Sequence, residues 1–308
     1  MKKLINNISM SNRINYGDLI VIYENGDNVK YFTLEKGKTF QNKYGLFKHD
    51  DIYNKYFGSK IYNKNKDKYI TILNFIPNIW ERCINKMTQI LYNPDISLIM
   101  LLLNITQKSV IYESGTGSGC LSTNLSSSLT EEKGHLYTFE FNKERADKLK
   151  TLFKLLKLDN IITITHRDVI QNGFILPKES LKEPSHSKCD SIFIDLPSPW
   201  LVINHITKVL KNDGYFVSFS PCIEQINETI KKLKENNFIN IRMYECLYRT
   251  YAYARTQTIE IPILDKKRKF GEKINFEKKD VLIAKNKTDM RGHTGFLLFG
   301  IYKENDIK

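Results

Sequence analysis

The spacing of hydrophobic positions changes character near residue 85. From about residue 17 to 76, apolar and polar residues alternate in short segments such as Asp18–Tyr23, Val29–Leu34 and Tyr69–Phe75. Turn residues that suit antiparallel hairpins separate these segments, for example Asn25-Gly26-Asp27. The pattern predicts a small antiparallel barrel or sheet, which we place in residues 1–80. The basic opening stretch lacks the apolar core of a signal peptide, and we expect roughly the first 16 residues to form a disordered tail.

Beyond residue 85, predicted strands and helices alternate. The strands are Ser109–Glu113, His135–Phe141, Ile161–His166, Ser191–Leu196, Tyr215–Ser220 and Gly295–Tyr302. The helices are Pro94–Asn104, Cys120–Leu129, Lys143–Leu158, Pro199–Leu210 and Ile223–Asn236. Regular alternation of this kind implies an α/β fold with a parallel, doubly wound sheet. We assign residues 81–308 to this second domain.

The net charge of the chain indicates which class of partner it binds. Its 308 residues include 47 Lys and Arg against 34 Asp and Glu, which gives a net charge of +13. Such a balance favours a polyanionic partner, either a nucleic acid or a membrane surface, although a solvated lysine-rich surface would give the same number. Part of the excess lies in residues 265–289, a basic insertion that we expect to be mobile.

Two other classes of protein are disfavoured. The five cysteines form no Cys-x-x-Cys pair, so we expect neither a disulfide framework nor a metal site. The longest apolar run, Ile96–Leu103, is too short to cross a bilayer, and we expect no membrane partner.

A glycine-rich segment, Glu113-Ser-Gly115-Thr-Gly117-Ser-Gly119, follows the first strand of the second domain. Glycines at such a strand-to-helix turn allow backbone amides to approach a ligand closely. The spacing differs from the dinucleotide fingerprint, because Cys120 occupies the position of its third glycine. The segment therefore favours S-adenosylmethionine over NAD, with a glycine-rich turn that binds nothing as the simpler alternative.

Acidic residues stand at the ends of later predicted strands. Glu140 is placed to accept hydrogen bonds from ribose hydroxyls, a role that NAD and S-adenosylmethionine sites share. Asp168 could accept a hydrogen bond from an adenine amine or act as a helix N-cap. Asp195 opens the stiff segment Asp195-Leu-Pro-Ser-Pro-Trp200 at the edge where doubly wound sheets bind substrates. An acid before a rigid Pro-x-Pro turn indicates a methyltransferase that acts on a base nitrogen, and Trp200 is interpreted as a core anchor.

Taken together, these motifs resemble the catalytic-subunit family of eukaryotic tRNA (adenine-58-N1)-methyltransferases. The matching stretches are Thr88–Tyr92, Glu113–Gly119, Glu140–Ala146, Asp195–Trp200 and Ser218–Gln225, with weaker matches at Phe57–Lys60 and His293–Phe296. The resemblance departs from the family pattern in the opening residues, the loop 171–189 and the insertion 265–289.

The resemblance implies an N-terminal β-barrel, a class I (Rossmann-like) methyltransferase domain and S-adenosylmethionine as the methyl donor. At cofactor positions it places Leu91, Ser114, Gly115, Gly117, Ser118, Gly119, Cys120, Glu140, Arg145, Asp168, Val169 and Asp195. Near the target base it places Gln89, Ile90, Tyr92, Leu196, Pro197, Ser198 and Pro199. It also implies a tRNA substrate and a homologous non-catalytic subunit in a heterotetramer. The expected location is the nucleus, with the cytoplasm as a further location.

Asp195 is the expected catalytic residue. When N1 of adenine attacks a methyl group, the base acquires the positive charge, and a neighbouring carboxylate stabilises it. Asp195 could also accept a hydrogen bond from the N6 amine and hold the base in line. Three alternatives stay open at this point: a non-catalytic tRNA-binding paralogue, a nicotinamide oxidoreductase, and a homotetramer of bacterial type that is active alone.

Overall fold

The computed structural model describes residues 13–25, 28–247, 251–263, 274, 276–286 and 295–304. These residues fall into two units. The larger unit contains the residues up to Glu245 together with those from 295 onward, and the smaller unit lies within residues 246–293.

The larger unit begins with an antiparallel sheet, as the sequence predicts. Its strands are β1 (Leu19–Asn25), β2 (Asn28–Thr33), β3 (Thr39–Asn42), β4 (Gly45–Lys48), β5 (Lys60–Tyr62) and β6 (Tyr69–Leu73). Four of them form a sheet in the order β2-β1-β6-β5, and β3 pairs with β4 in a hairpin. Alternate residues of the strands, among them Ile22, Phe47 and Ile72, enclose a common apolar core.

The predicted disordered tail is wrong for its last four residues, 13–16, which are ordered. Ile14 is fully buried in the core of the antiparallel sheet, and its backbone N–H donates to the Lys55 carbonyl at 2.9 Å. Arg13 forms a bridge with Tyr56 and places its guanidinium 4.8 Å from the centre of that ring. Burial of a single isoleucine thus fixes the position of the chain where the composition indicated a disordered tail. Residues 1–12 lie outside the described part.

Helix α1 (Pro77–Cys83) joins the antiparallel sheet to the rest of the larger unit. Proline at its first turn favours the start of a helix there. Trp80 is fully buried, and its ring lies 4.8 Å from that of Tyr31 on β2. Val21 and Leu156 belong to the same apolar cluster. The domain boundary predicted between residues 80 and 81 falls inside α1, and it stays a prediction.

The remaining elements are, in chain order, α2 (Asn93–Leu102), β7 (Val110–Ser114), α3 (Cys120–Ser126), β8 (His135–Glu140), α4 (Lys143–Leu155), β9 (Ile162–His166), α5 (Val169–Asn172), β10 (Cys189–Ile194), α6 (Ile203–Ile206), β11 (Leu210–Ser220), α7 (Ile223–Glu235), β12 (Phe238–Glu245), β13 (Tyr251–Pro262), β14 (Phe276–Asn286) and β15 (Phe296–Tyr302). All of them except β13 and β14 belong to the larger unit, where they form an alternating α/β layer. Seven strands form one sheet in the order β12-β15-β11-β10-β7-β8-β9, with β15 antiparallel to both of its neighbours.

Helices cover both faces of this sheet, which confirms the doubly wound fold. Consecutive residues of β7 point to different cores: Ile111 belongs to one apolar cluster and Tyr112 to the other. Strands β8 and β9 extend the sheet on one side of β7, and β10 and β11 extend it on the other. The direction of the chain therefore switches between β7 and β10, and such a switch opens a crevice at the carboxyl ends of these two strands.

The helix predicted over Pro199–Leu210 is wrong. Pro199–Val202 form a 3-10 turn, α6 is a single short turn, and Leu210 already begins β11, where it pairs with Cys189. Val202, Ile203, Ile206 and Val209 are all buried in one core. Their branched side chains favour helix poorly, so packing against the sheet decides the conformation.

The smaller unit is a two-stranded antiparallel sheet of β13 and β14. Strand β14 lies inside the predicted mobile insertion 265–289, so that part of the insertion is regular structure. Residues 265–273, 275 and 287–289 of the region lie outside the described part of the chain.

Candidate active site

The candidate site lies at the carboxyl edge of the seven-stranded sheet, where β7 and β10 end side by side. Ser114 pairs with Ile194, and the backbone N–H of Asp195 donates to the Ser114 carbonyl at 2.9 Å. On the other side of β7, Gly115 N–H donates to the Phe139 carbonyl at 3.1 Å. These bonds place the glycine-rich segment, Glu140 and Asp195 along one edge.

The glycines of the segment are required by close approach and by backbone conformation. Gly115, Gly117 and Gly119 have φ angles of 88°, 58° and 79°. A Cβ on Gly115 would lie 2.1 Å from the Asp195 carbonyl oxygen, and one on Gly119 would lie 2.9 Å from Cδ2 of Leu149. The first glycine therefore allows the two loops of the crevice to touch, and the third allows α3 to pack against α4.

Glu140 is held in place by three hydrogen bonds. It is only 2% exposed, and its Oε2 accepts a hydrogen bond from Gly117 N–H at 3.1 Å. Its Oε1 accepts from Asn142 N–H at 2.9 Å and from Nη2 of Arg145 at 2.7 Å. A carboxylate has about four acceptor positions, so the protein leaves room for roughly one more donor. Arg145 and Glu140, both predicted at cofactor positions, are thus brought together.

Ser118 joins the glycine-rich segment to the loop before α2. Its Oγ accepts hydrogen bonds from the backbone N–H groups of Met87 at 2.9 Å and Thr88 at 3.1 Å. This contact places the predicted substrate-binding segment 89–92 beside the glycines. Gln89 is exposed and Tyr92 is half-buried, whereas Ile90 and Leu91 are in the core.

Asp168 takes the structural role that the sequence left open. Its Oδ1 accepts hydrogen bonds from Ile170 N–H at 2.9 Å and Gln171 N–H at 3.2 Å, so that it caps α5. Its neighbour Val169 is buried in the core. Cys120 is likewise a core residue, and burial raises the pKa of its thiol to about 12. A cofactor role for these three residues stays a prediction.

Asp195 differs from the other acids of the edge because its carboxylate has no hydrogen-bond partner among the described residues. The residue is half-buried, and its carboxylate accepts no hydrogen bond from any residue that the structure describes. Burial of the carboxyl raises its pKa to about 6. In the loop that follows, Leu196 and Ser198 are half-buried, Pro197 is exposed and Pro199 is buried. Trp200, interpreted as a core anchor, is only half-buried.

Two features of the site were missed by sequence reasoning. Glu113 is 1% exposed; its Oε2 accepts from Ser122 Oγ at 2.6 Å, whereas its Oε1 is buried without a partner among the described residues. Burial raises the pKa of Glu113 to about 7. Gln225 donates from Nε2 to the Pro197 carbonyl at 2.8 Å and accepts from Cys222 N–H at 3.2 Å. A glutamine at the third position of α7 is typical of a capping box, and this was the available signal for the contact between Gln225 and Cys222.

Comparison with known proteins decides the family. A protein-family profile described as "tRNA methyltransferase complex GCD14 subunit" matches residues 68–302. The tRNA (adenine(58)-N(1))-methyltransferase catalytic subunit of Dictyostelium discoideum is 35% identical, over 95% of this chain and 97% of its own length. The chain belongs to this family. The catalytic subunit from Schizosaccharomyces pombe is 33% identical, over 81% of this chain and 68% of its own length.

Solved structures agree with the fold expected of this methyltransferase family. A SAM-dependent O-methyltransferase from Thermotoga maritima superimposes with a TM-score of 0.73, at 24% identity over 97% of this chain and 98% of that one. The tRNA (m1A58) methyltransferase TrmI of Aquifex aeolicus gives a TM-score of 0.67, at 21% identity over 96% and 100% of the two chains. The class I methyltransferase fold is thereby confirmed.

The described residues form neither a metal-binding cluster nor a membrane-spanning helix. Among them, no set of three or more His, Cys, Asp or Glu side chains is arranged to hold a metal ion. No helix within the same residues is long and apolar enough to cross a membrane.

Proposed function

We propose that this protein transfers a methyl group from S-adenosylmethionine to N1 of adenine 58 in tRNA, as the catalytic subunit of a two-subunit enzyme. The names of its relatives support the activity and the substrate. The observation that carries the proposal is the Asp195 carboxylate, which lies beside the glycine-rich segment and has no hydrogen-bond donor in the part of the chain that the structure describes. A catalytic family member must have such an acceptor in the crevice, and a non-catalytic paralogue need not.

The residues of the edge fit S-adenosylmethionine. Glu140 has one acceptor position left for a ribose hydroxyl. Gly115 and Gly117 allow Asp195 and Thr88 to pack closely on the glycine-rich turn, because a Cβ would meet the Asp195 carbonyl oxygen at 2.1 Å and Thr88 Oγ1 at 2.8 Å. Glu113 Oε1 is buried and needs a donor, which an ammonium group can supply directly or through water. When bound, S-adenosylmethionine supplies a methyl group on a cationic sulfur. Three carboxylates near one edge suit a cationic ligand better than the pyrophosphate of NAD.

Asp195 would act on the base. The lone pair of adenine N1 forms the new N–C bond while the S–C electron pair stays on sulfur, so the positive charge moves to the adenine. The Asp195 carboxylate accepts a hydrogen bond from the N6 amine, orients N1 and stabilises this charge. Gln225 holds the Pro197 carbonyl and the loop that Asp195 opens, and this loop has little freedom to move away.

A partner subunit is the second part of the proposal. The relatives are named as catalytic subunits, which implies another kind of subunit. The β13–β14 pair supports such a contact, because a two-stranded sheet is marginal in water and its described side chains are mostly exposed. We infer that a homologous non-catalytic subunit covers it in a heterotetramer, and that the enzyme acts in the nucleus.

Mass spectrometry of tRNA nucleosides tests the activity. Unmodified tRNA is incubated with a methyl-labelled donor and this chain, with and without the candidate partner. Labelled 1-methyladenosine is the expected product, and light scattering gives the mass of the active species. A homotetramer that is fully active alone would refute the partner proposal and leave the chemistry intact. Absence of labelled 1-methyladenosine from both preparations would refute the activity.

A further inference from the structure

An exposed aromatic and basic surface lies on the antiparallel sheet, outside the candidate active site. Tyr62 on β5 pairs with Tyr69 on β6; the two side chains are 51% and 43% exposed, and their ring centres are 5.6 Å apart. Lys60 Nζ lies 4.3 Å from the centre of the Tyr69 ring. We call Lys60, Tyr62, Tyr69 and the lysines of the connecting turn, Lys64, Lys66 and Lys68, the β5–β6 face.

Lysines outnumber acids along β5, the connecting turn and β6, and two acids of another element, Asp50 and Asp51, line a depression with Lys60 and Tyr62. Residues 59–73 contain four lysines against one acid, Asp67, and that acid accepts a hydrogen bond from Asn63 Nδ2 at 2.8 Å. The neighbouring hairpin adds the Tyr44 ring, with Lys43 Nζ at 5.2 Å and Lys68 Nζ at 5.7 Å from its centre. Tyrosine rings interleaved with lysines are the composition of a surface that stacks on bases and neutralises phosphates.

The β5–β6 face is rigidly attached to the domain that carries the site. Tyr69 and Leu73 point to the same side of β6, because side chains alternate along a strand. Leu73 pairs with Val21, and both pack in the cluster that contains Trp80 of α1. One face of the sheet is thus covered at one end and exposed at the other. A ligand held at the exposed end therefore has a fixed position relative to the larger unit.

We propose that the β5–β6 face binds the RNA substrate away from the reacting adenine, with lysines on phosphates and tyrosine rings on exposed bases or riboses. The proposal deepens the proposed function and rests on it for the identity of the RNA. Protection of an edge strand from aggregation would also place lysines on β5. It would not require two half-exposed tyrosine rings in contact, and the charge favours a polyanion over a protein partner.

Two double variants of the full chain test the face, in whichever assembly is active. Tyr62→Ser with Tyr69→Ser should weaken binding of a fluorescent tRNA at least about five-fold, with an unchanged dependence on salt. Lys64→Gln with Lys66→Gln should also weaken it and lower the slope of log Kd against log salt by about two. In methylation assays, both should raise KM for tRNA and leave kcat unchanged.

Matched controls separate the face from general effects of charge and folding. Tyr62→Phe with Tyr69→Phe keeps the rings and should bind as the unmodified chain does. Lys148→Gln with Lys232→Gln removes the same charge from two exposed helix lysines, each 2.6 Å from its own glutamate, and should change the affinity for tRNA far less. Thermal unfolding of every variant checks that the substitutions at these exposed positions leave the fold intact.

Binding is measured a second time with a tRNA in which uracil replaces adenine 58. If that RNA binds through the face while the normal tRNA is not methylated, the proposed function fails and this inference stands. Unchanged affinity in both double variants would overturn the inference. A smaller assembly with unchanged affinity for tRNA would also overturn it, since the face would then contact a protein.

Discussion

Polar side chains are buried at both ends of the seven-stranded sheet. The two ends differ in whether these side chains find hydrogen-bond partners within the described protein. At the amino end of β8, His135 Nε2 lies 2.8 Å from Thr163 Oγ1, and Tyr137 OH lies 3.0 Å from Nδ1 of His186. At the carboxyl edge, Glu113 Oε1 is buried without a partner in the described chain and Asp195 accepts no hydrogen bond there.

Burial shifts pKa values at both ends. It lowers the pKa of His135 to about 3 and raises those of Glu113 to about 7 and Asp195 to about 6. A shifted pKa therefore does not mark a site in this protein. His135 Nδ1 also lacks a partner among the described residues, but a neutral ring tolerates this more easily than a carboxylate does. What distinguishes the carboxyl edge, among the described residues, is the combination of open carboxylate acceptors with the positive-φ glycines Gly115, Gly117 and Gly119.

The strongest test of this difference between the two ends is to remove the carboxylate at each end of β10. Asp195→Ala should lower the single-turnover rate of methylation roughly 100- to 1000-fold, because the charge that develops on the base loses its stabilising group. Asp190→Asn is the control at the amino end; its Oδ2 accepts from Val110 N–H at 2.7 Å and its Oδ1 accepts from Lys211 Nζ. This variant should lose stability and keep its rate. Similar rates for the two variants would show that Asp195 is not the catalytic group.

Gly115→Ala should lower the affinity for S-adenosylmethionine at least about ten-fold. The new Cβ would meet the Asp195 carbonyl oxygen at 2.1 Å, so the two loops of the crevice must separate. Gly37→Ala is the matched control, since its φ of 75° is similar and nothing lies within 4 Å of the added atom. That control should cost about 1–2 kcal/mol of stability and leave binding unchanged. Calorimetric titration of both variants decides between local strain and loss of the crevice.

The pH dependence of kcat/KM should follow the carboxyl edge. Burial raises the pKa of Asp195 to about 6, so the free enzyme carries the ionised, active carboxylate above pH 6. Below pH 6, kcat/KM should fall about ten-fold per pH unit. Glu113→Gln separates the two acids, because the pKa of Glu113 is about 7. A midpoint that disappears in this variant would assign the profile to Glu113 and not to Asp195.

The amino end should affect stability and not activity. The folded-state pKa of His135, about 3, lies below the unfolded value of about 6.5, so its contribution is present above pH 6.5 and is lost as the pH falls toward 3. By pH 5 the loss should reach about 2 kcal/mol relative to neutral pH. Urea unfolding of the wild type and of His135→Gln at pH 7 and pH 5 measures it. Equal losses in the two proteins would contradict the assignment to His135.

Much of the fold could be predicted because local pattern and tertiary packing agree. The alternation of strands and helices from 109 onward gave the doubly wound sheet, and turn residues gave the antiparallel strands before it. Prediction failed at Pro199–Leu210 and at Ile14, where contacts distant in sequence decide the conformation. Strand β14 was missed for the same reason, since its lysine-rich sequence becomes a strand by pairing with β13.

The candidate site, like the fold, was predictable from the sequence only in part. The sequence by itself determined which residues can carry the chemistry: glycines after a strand, acids at strand ends and a rigid loop after Asp195. Only the tertiary structure decided which of them keep an open hydrogen-bonding position. Asp168 caps a helix, Ser118 accepts hydrogen bonds from a neighbouring loop, and Glu140 accepts three from protein groups. Asp195 accepts none from the residues that the structure describes. The physical reason is that hydrogen-bond satisfaction depends on partners brought close by folding, and their spacing in sequence does not record it.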